Sequence, residues 1–183
     1  MDKNRITLTG PRVTLRLPQA GDGEKRFALG AHPEIHEAFG GDPAQFRPLT
    51  MEAAEAWEAT QLKEPWSWII EVEDRLIGAI RLHSMNHFDA RAVLGVGILD
   101  HASLGRGYGT EAMILLARHA FGPMGLHRLS LRVLAGNTRA VAAYAKVGFV
   151  AEGRLRESAR IGDSWQDEVF MGMLPGDLAD LRT

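Results

Sequence analysis

Polar and apolar residues alternate through Arg12-Val13-Thr14-Leu15-Arg16-Leu17, the period of a half-buried strand. Gly21-Asp22-Gly23 interrupts that pattern, and Glu24 to Leu29 suits a short helix. His32-Pro33-Glu34 marks a second helix start, with proline at the first helical position. After the loop Gly40-Gly41-Asp42-Pro43, Thr50 is placed to cap an alanine- and glutamate-rich helix over Glu52 to Leu62. Trp66 to Val72 and Leu76 to His83, joined at Glu73-Asp74, predict a hairpin, and Ala92 to Leu99 predicts a third strand. Gly95 and Gly97 inside that third strand suggest a bulge or a close backbone approach. A glycine-rich turn over 105–109 opens a helix to about Phe121, which Gly122, Pro123 and Gly125 end. Leu129 to Leu134 alternates as a strand, and Asn137 caps a helix that stops at Gly148. Phe149-Val150 begins another strand, and Glu168 to Leu174 is the last. Strands outnumber helices and hairpins mix with helical crossovers, so the pattern predicts an α+β domain with one mixed sheet. No repeat, low-complexity tract or linker divides the 183 residues, and a single domain over 1–183 is expected.

Composition narrows the function classes. The chain is 45% hydrophobic and 24% charged, ordinary for a soluble protein with a sizeable core. A formal charge of −2 argues against a dedicated nucleic-acid binder. No run of about 18 apolar residues occurs, so no membrane span is expected. The mixed charges of Met1-Asp2-Lys3-Asn4-Arg5 lead into no signal-like stretch, and a cytoplasmic protein is the expectation. The absence of cysteine removes disulfides, thiolate metal sites and cysteine nucleophiles together. His32 and His36, like His83 and His87, stand four apart without the His-Glu-x-x-His pattern, so no metal is expected. Trp57, Trp66 and Trp68 suit a core or a cleft wall better than a base-stacking platform. Residues 51–74 hold seven acids against Lys63, and residues 118–160 hold eight bases against two acids. A basic C-terminal half suits nucleotide phosphates, and an acidic N-terminal half a cationic acceptor; ordinary solvated faces explain the same counts equally well.

The 20 glycines, about 11% against a typical 7%, are the compositional outlier. Leu104-Gly105-Arg106-Gly107-Tyr108-Gly109-Thr110 places three of them at alternate positions where a strand and short loop give way to a helix. Backbone N–H groups there lack intrahelical partners and the helix dipole is positive, so an anion such as a pyrophosphate is a natural guest. The dinucleotide fingerprint fails because Thr110 stands where its last glycine belongs, and no Gly-Lys-Ser/Thr exists for a Walker loop. A glycine-rich turn without any ligand competes evenly on spacing alone.

A second motif breaks that tie. Asn137-Thr138-Arg139-Ala140-Val141-Ala142-Ala143-Tyr144-Ala145-Lys146-Val147-Gly148-Phe149 resembles the second cofactor motif of the GNAT N-acetyltransferase superfamily, in which Asn opens a helix, Tyr follows two turns later and Gly-Phe closes it. The turn at 104–109 resembles the same family's pyrophosphate loop, with Leu104 in place of the usual Arg or Gln. Glu152-Gly153-Arg154-Leu155-Arg156, the late Asp167-Glu168 to Leu174 and the early Val13-Thr14-Leu15-Arg16 resemble the ribosomal-protein N-terminal acetyltransferase branch. The resemblance implies a GNAT-like fold, with a mixed, mostly antiparallel sheet splayed around an acetyl-CoA site and helices on both faces. Relatives being often dimers, it also admits a homodimer.

The resemblance assigns the parts of the chemistry. Amides of Gly105, Arg106, Gly107, Tyr108, Gly109 and Thr110, after Leu104, would hold the acetyl-CoA pyrophosphate. The strand ending at Ile98 and Leu99 would part from its neighbour to admit pantetheine, with Gly95 and Gly97 suiting a bulge. The N–H near Leu99 would then face the thioester oxygen. Asn137 would face the cofactor while its backbone caps the helix. Tyr144 would be the general acid, although its position on the helix's apolar stripe with Val141, Ala145 and Gly148 also suits a core tyrosine. The general base stays open among His83, His87, Asp100, His101, Glu34 and Glu37. A lysine-type amine is mostly protonated at pH 7, costing roughly 4–5 kcal/mol to neutralise, against about 1 kcal/mol for an α-amine. Ala92 to Leu99 carries no carboxylate to help, which favours an α-amine of a protein or peptide over a polyamine, aminoglycoside or amino-acid-like acceptor. A non-catalytic acyl-CoA-binding module and a dinucleotide binder are the readings from other classes.

Overall fold

The computed structural model describes residues 6–180, and within them the alternating stretch around Leu15 joins a mixed sheet of eight strands. Across its width the sheet runs β1 (Leu8–Thr9), β2 (Thr14–Arg16), β3 (Ser67–Val72), β4 (Arg75–Asn86), β5 (Arg91–Ile98), β6 (Arg128–Leu134), β8 (Ser164–Met173) and β7 (Val150–Ile161). All neighbours are antiparallel except β5 and β6, which the helix α4 (Tyr108–Phe121) connects as a crossover.

Side chains of a strand alternate between faces, and here both faces are covered. On one, Leu15, Trp68, Ile70, Ile80, Leu82 and Leu94 pack against Ala112, Met113, Leu116 and Ala120 of α4. Val147 of α5 (Thr138–Val147) closes that core. On the other, Ile69 is fully buried, as is Ala54 of α3 (Met51–Lys63). The helices α1 (Asp22–Ala28) and α2 (Pro33–Ala38) complete this layer. Thr50 caps α3 as its sequence predicts, accepting from the Ala53 N–H at 3.2 Å. Arg16 ties β2 to both neighbours, 2.6 Å from buried Asp22 of α1 and 2.6 Å from Glu71 of β3. Among the described residues, no helix is long and apolar enough to cross a membrane.

The feature that positions the site is a split. β5 and β6 pair only through Arg91↔Arg128, Ala92↔Leu129 and Val93↔Ser130. Beyond that point β4 holds β5 in register as far as Gly78↔Ile98, while β8 holds β6 as far as Leu134↔Glu168. Each strand therefore follows its own half of the sheet, and the halves separate.

The last hairpin differs from expectation. β8 starts at Ser164 rather than Glu168, and β7 runs on to Ile161. β7 is almost wholly exposed, so no apolar alternation marks it in the sequence. Backbone pairing to β8 makes it a strand.

Candidate functional site

Where the sheet halves part, a cleft of 1020 Å³ opens. Its walls come from Ile35 of α2 and Phe39 just after it, Trp57 and Gln61 of α3, the 94–98 stretch of β5, and Asn137 and Tyr144 at the start and on the flank of α5.

Hydrogen bonds fix which backbone groups face this space. The Leu82 N–H donates to Trp66 at 2.8 Å and the Leu99 N–H to Ile77 at 2.7 Å. Even-numbered residues of β4 thus bond towards β3 and odd-numbered ones towards β5. Their partners Gly95 and Gly97, and Leu99 beyond them, spend their polar groups on β4. By the same alternation Val96 and Ile98 turn their N–H and C=O groups into the gap, where β6 no longer runs alongside. This corrects the expectation for Leu99, whose N–H is committed to β4 and does not face the cleft.

The bulge is also elsewhere. Pairing between β4 and β5 is regular through Gly95 and Gly97. At the strand's end the Leu99 and Asp100 N–H groups, at 2.7 and 3.1 Å, share the Ile77 carbonyl, two residues against one. Gly97 serves close approach instead: a Cβ there would lie 2.5 Å from Cζ of Phe39. Gly78 in turn leaves room for the Gly97 carbonyl, which would be 2.1 Å from an added Cβ.

The glycine turn adjoins this floor. Asp100 caps a short 3-10 turn, His101–Ser103, and Leu104 lines the cleft with Ile98 and Leu99. Gly105 and Gly107 take φ of 73° and 82°, left-handed values that favour glycine, and Gly107 is the N-cap of α4. Tyr108, Gly109 and Thr110 form the first turn of α4, where N–H groups have no intrahelical acceptor. Gly105 to Thr110 border the cleft at this end rather than lining it. Arg12 braces the turn: Nη1 donates to the Arg106 carbonyl at 3.2 Å, and the guanidinium lies 5.3 Å from the centre of the Tyr108 ring. Buried Glu111 accepts from the Arg12 and Val13 N–H groups at 2.8 and 3.0 Å, fixing the helix start to the sheet.

Tyr144 stands in the opposite wall, edge-on to Phe149 with ring centroids 6.1 Å apart. Burial pushes its phenol pKa up, so the group stays protonated at neutral pH and is able to donate. Asn137 lines the cleft too, but its side chain does the capping: Oδ1 accepts from Ala140 N–H at 3.1 Å, and Nδ2 donates to the Ala38 carbonyl at 3.2 Å. That corrects the division in which the backbone caps and the side chain is left for a cofactor.

The base candidates sort by what they already hold. Asp100 accepts from Ser103 Oγ at 2.6 Å and pairs with Arg75 at 3.2 Å, a structural role. Hydrogen bonds from Arg139 and His101 hold the Glu34 carboxyl below its usual range, which makes it a poor base. His83 is pushed down by burial and then by Arg81, so it is neutral near pH 7. His87 and Glu37 are exposed. No sequence spacing foretells that His32, Glu34 and His101 meet; the two imidazoles stack at 3.4 Å, and His101 Nε2 lies 3.1 Å from Glu34. Charge also falls differently from the sequence halves. None of the seven acids of 51–74 lines the cleft, whereas Arg132, Arg139 and Arg160 of the basic half do.

Known proteins resemble this arrangement. The family model described as an acetyltransferase (GNAT) domain matches residues 12–150. YjcK of Bacillus subtilis (strain 168), named a probable N-acetyltransferase, is 31% identical over 105 residues, 57% of this chain and 58% of that protein. YdaF of the same strain, provisionally named a ribosomal N-acetyltransferase, is 28% identical over 99 residues, 54% of each. The chain thus spans little more than half the length of these curated relatives. The crystal structure of spermidine N-acetyltransferase from Vibrio cholerae in complex with CoA and spermine superposes with a TM-score of 0.75, covering 92% of this chain and 98% of that one at 23% identity, a likeness of fold.

Proposed function

The chain belongs to the acetyltransferase (GNAT) domain family, and on that premise we propose that it is an N-acetyltransferase moving an acetyl group from acetyl-CoA to a primary amine by direct attack in a ternary complex. The observation that carries this is the gap itself: Val96 and Ile98 present strand hydrogen-bonding groups to a space without a strand. Pantetheine, an extended chain with two amides, has the complementary groups.

Acetyl-CoA supplies an activated acetyl thioester, at which a C–N bond to the acceptor forms as the C–S bond breaks. The residues divide the remaining work. The N–H groups of the turn from Gly105 to Thr110 hold the pyrophosphate at the positive end of α4, and Leu104 contributes only packing. Ile98 and Leu99 form the floor, with the Val96 and Ile98 N–H groups as the donors available to a carbonyl oxygen. Tyr144 gives its phenolic proton to the departing CoA sulfur, the attacking nitrogen gives up one proton to solvent as the amide forms, and Tyr144 recovers one from solvent. Asn137 holds α5 against α2, so that Tyr144 keeps its place. β5 carries no carboxylate, and Glu168, which lines the cleft, lies 3.6 Å from Arg132, so an acceptor nitrogen that reaches its neutral form cheaply is favoured. A peptide or protein α-amine does so for about 1 kcal/mol at pH 7. That reading accords with the likeness to the ribosomal-protein branch. The Vibrio cholerae neighbour's spermine favours a small-amine acceptor as the second reading.

Thermal shift with CoA, acetyl-CoA and NAD, and CoA release against N-terminal peptides, polyamines and aminoglycosides, test the proposal. Stabilisation by acetyl-CoA with CoA release on adding an amine is expected. Stabilisation by NAD alone overturns it, and binding without release to any amine reduces the protein to an acyl-CoA-binding module.

A further inference from the structure

The cations of the cleft are unequally provided for. Arg132 has Glu168 at 3.6 Å, Arg160 has Asp163 at 3.5 Å, and Arg139 is bonded to Glu34. Arg81 also lines the cleft, and its guanidinium has neither a hydrogen bond nor an ion pair among the described residues. It is half-buried on β4, directly opposite Gly95 of β5 and Ser67 of β3. Because Gly95 has no side chain, Arg81 lies across it, with Cγ and Nε each 3.6 Å from the position a Cβ would take. The guanidinium thereby rests one residue from Val96, beside the gap-facing backbone.

A second polar group joins it. Gln61 is only 6% exposed and lines the cleft, and its Oε1 accepts from the buried Ser67 hydroxyl at 2.6 Å. Its Nε2 has no partner among the described residues. Either orientation of the amide leaves one of its atoms unpaired. A half-buried guanidinium and a buried amide without partners are both costly unless something polar meets them. Neighbouring titratable groups do not: His83 is held neutral, and Glu64 is near enough to His83 to be felt there but makes no bond to Arg81.

Resting on the acetyl-transfer reading, we propose that Arg81 and Gln61 form an acceptor subsite for a carboxylate, so that the preferred substrate is an amine that itself carries a carboxylate. The planar guanidinium matches a carboxylate in two parallel hydrogen bonds, and the amide N–H adds a third. Polyamines, which bring only positive charge to Arg81, are rejected by the same group. The carboxylate belongs either to an acidic peptide N-terminus or to a free amino acid, and the acceptor panel separates these.

CoA release is measured with peptide amides beginning Glu or Gln, with free glutamate and its diamide, and with spermidine. Binding of each acceptor to the CoA complex is followed by calorimetry. The acidic member of a pair is expected to exceed its neutral isostere at least tenfold in kcat/KM and in affinity, with spermidine last. Arg81→Gln is expected to bring that ratio within twofold, and Arg81→Lys to restore part of it. Preference in the peptide pair alone identifies the acidic N-terminus, and in the free pair alone the amino acid. Equal turnover of acidic and neutral acceptors, or a preference for spermidine, overturns this subsite while leaving acetyl transfer intact. Absence of CoA release with every acceptor overturns the acetyl-transfer reading and the subsite with it.

Discussion

Tyr144 shows how much one side chain's surroundings decide. Its place on an apolar helical stripe is equally that of a core residue, and sequence spacing alone does not separate the roles. The fold sets it in the cleft wall while its ring also packs against the core, with Phe149 edge-on to it, so kinetics must separate the two roles. Burial raises the phenol's pKa from its ordinary 10.0. The protonated form needed to supply a proton therefore persists throughout the neutral and mildly alkaline range. Tyr144→Phe removes the proton and keeps the ring. We expect kcat to fall by about 10²-fold or more, the usual scale for general acid catalysis, while acetyl-CoA affinity stays within about twofold. In the wild type, any alkaline fall in kcat due to this group should come at higher pH than for an ordinary tyrosine, because burial raises the pKa at which the proton is lost. Steady-state kinetics with a calorimetric measurement of acetyl-CoA binding check the pair. An unchanged kcat in Tyr144→Phe would retire the acid role.

At the scale of elements, the turn into α4 was legible because the backbone conformation that makes it is local, whereas the brace from Arg12, 94 residues from Arg106, was not. Gly105 and Gly107 take left-handed φ within a few residues of each other, and the helix follows at once. Asn137 as an N-cap was legible for the same reason, whereas the use of its Nδ2 on the Ala38 carbonyl was not, since 99 residues separate them. Both strands of the final hairpin were expected, but their full extent escaped because the exposed stretch from about 151 to 166, joined through its backbone, leaves no hydrophobic period. Gly107 offers a clean test of the turn. A Cβ at φ 82° costs about 1–2 kcal/mol in backbone strain. Space is not the obstacle, since the Cβ would meet only Arg12 Nη2, at an ordinary contact distance of 3.4 Å. Gly107→Ala should therefore lose about 1–2 kcal/mol of unfolding free energy in a urea titration and weaken acetyl-CoA binding. A destabilised variant with wild-type acetyl-CoA affinity would mean that the turn shapes the helix start without holding an anion.

The whole molecule adds what neither scale contains. The resemblance implied a parted sheet, but which N–H groups face the opening depends on the parity of the β4–β5 pairing. That parity runs through the ladder from His83↔Val93 to Gly78↔Ile98 and on to the Leu99 N–H bond to Ile77. A one-residue change in register would exchange the roles of Ile98 and Leu99. The sequence places a donor near Leu99 but cannot say which residue's N–H it is, because strand register is a property of two distant segments together. The consequence is measurable amide by amide. Leu99 N–H is bonded to Ile77 whether or not the cleft is filled, whereas Val96 and Ile98 gain partners only when an extended chain lies beside β5. In hydrogen exchange without ligand, Leu99 should be protected while Val96 and Ile98 exchange faster. Addition of CoA should slow Val96 and Ile98 by at least tenfold relative to Leu99. If all three slow together, the ligand has merely stabilised the fold globally. If none responds while CoA still binds, pantetheine takes another path and the gap is not its channel.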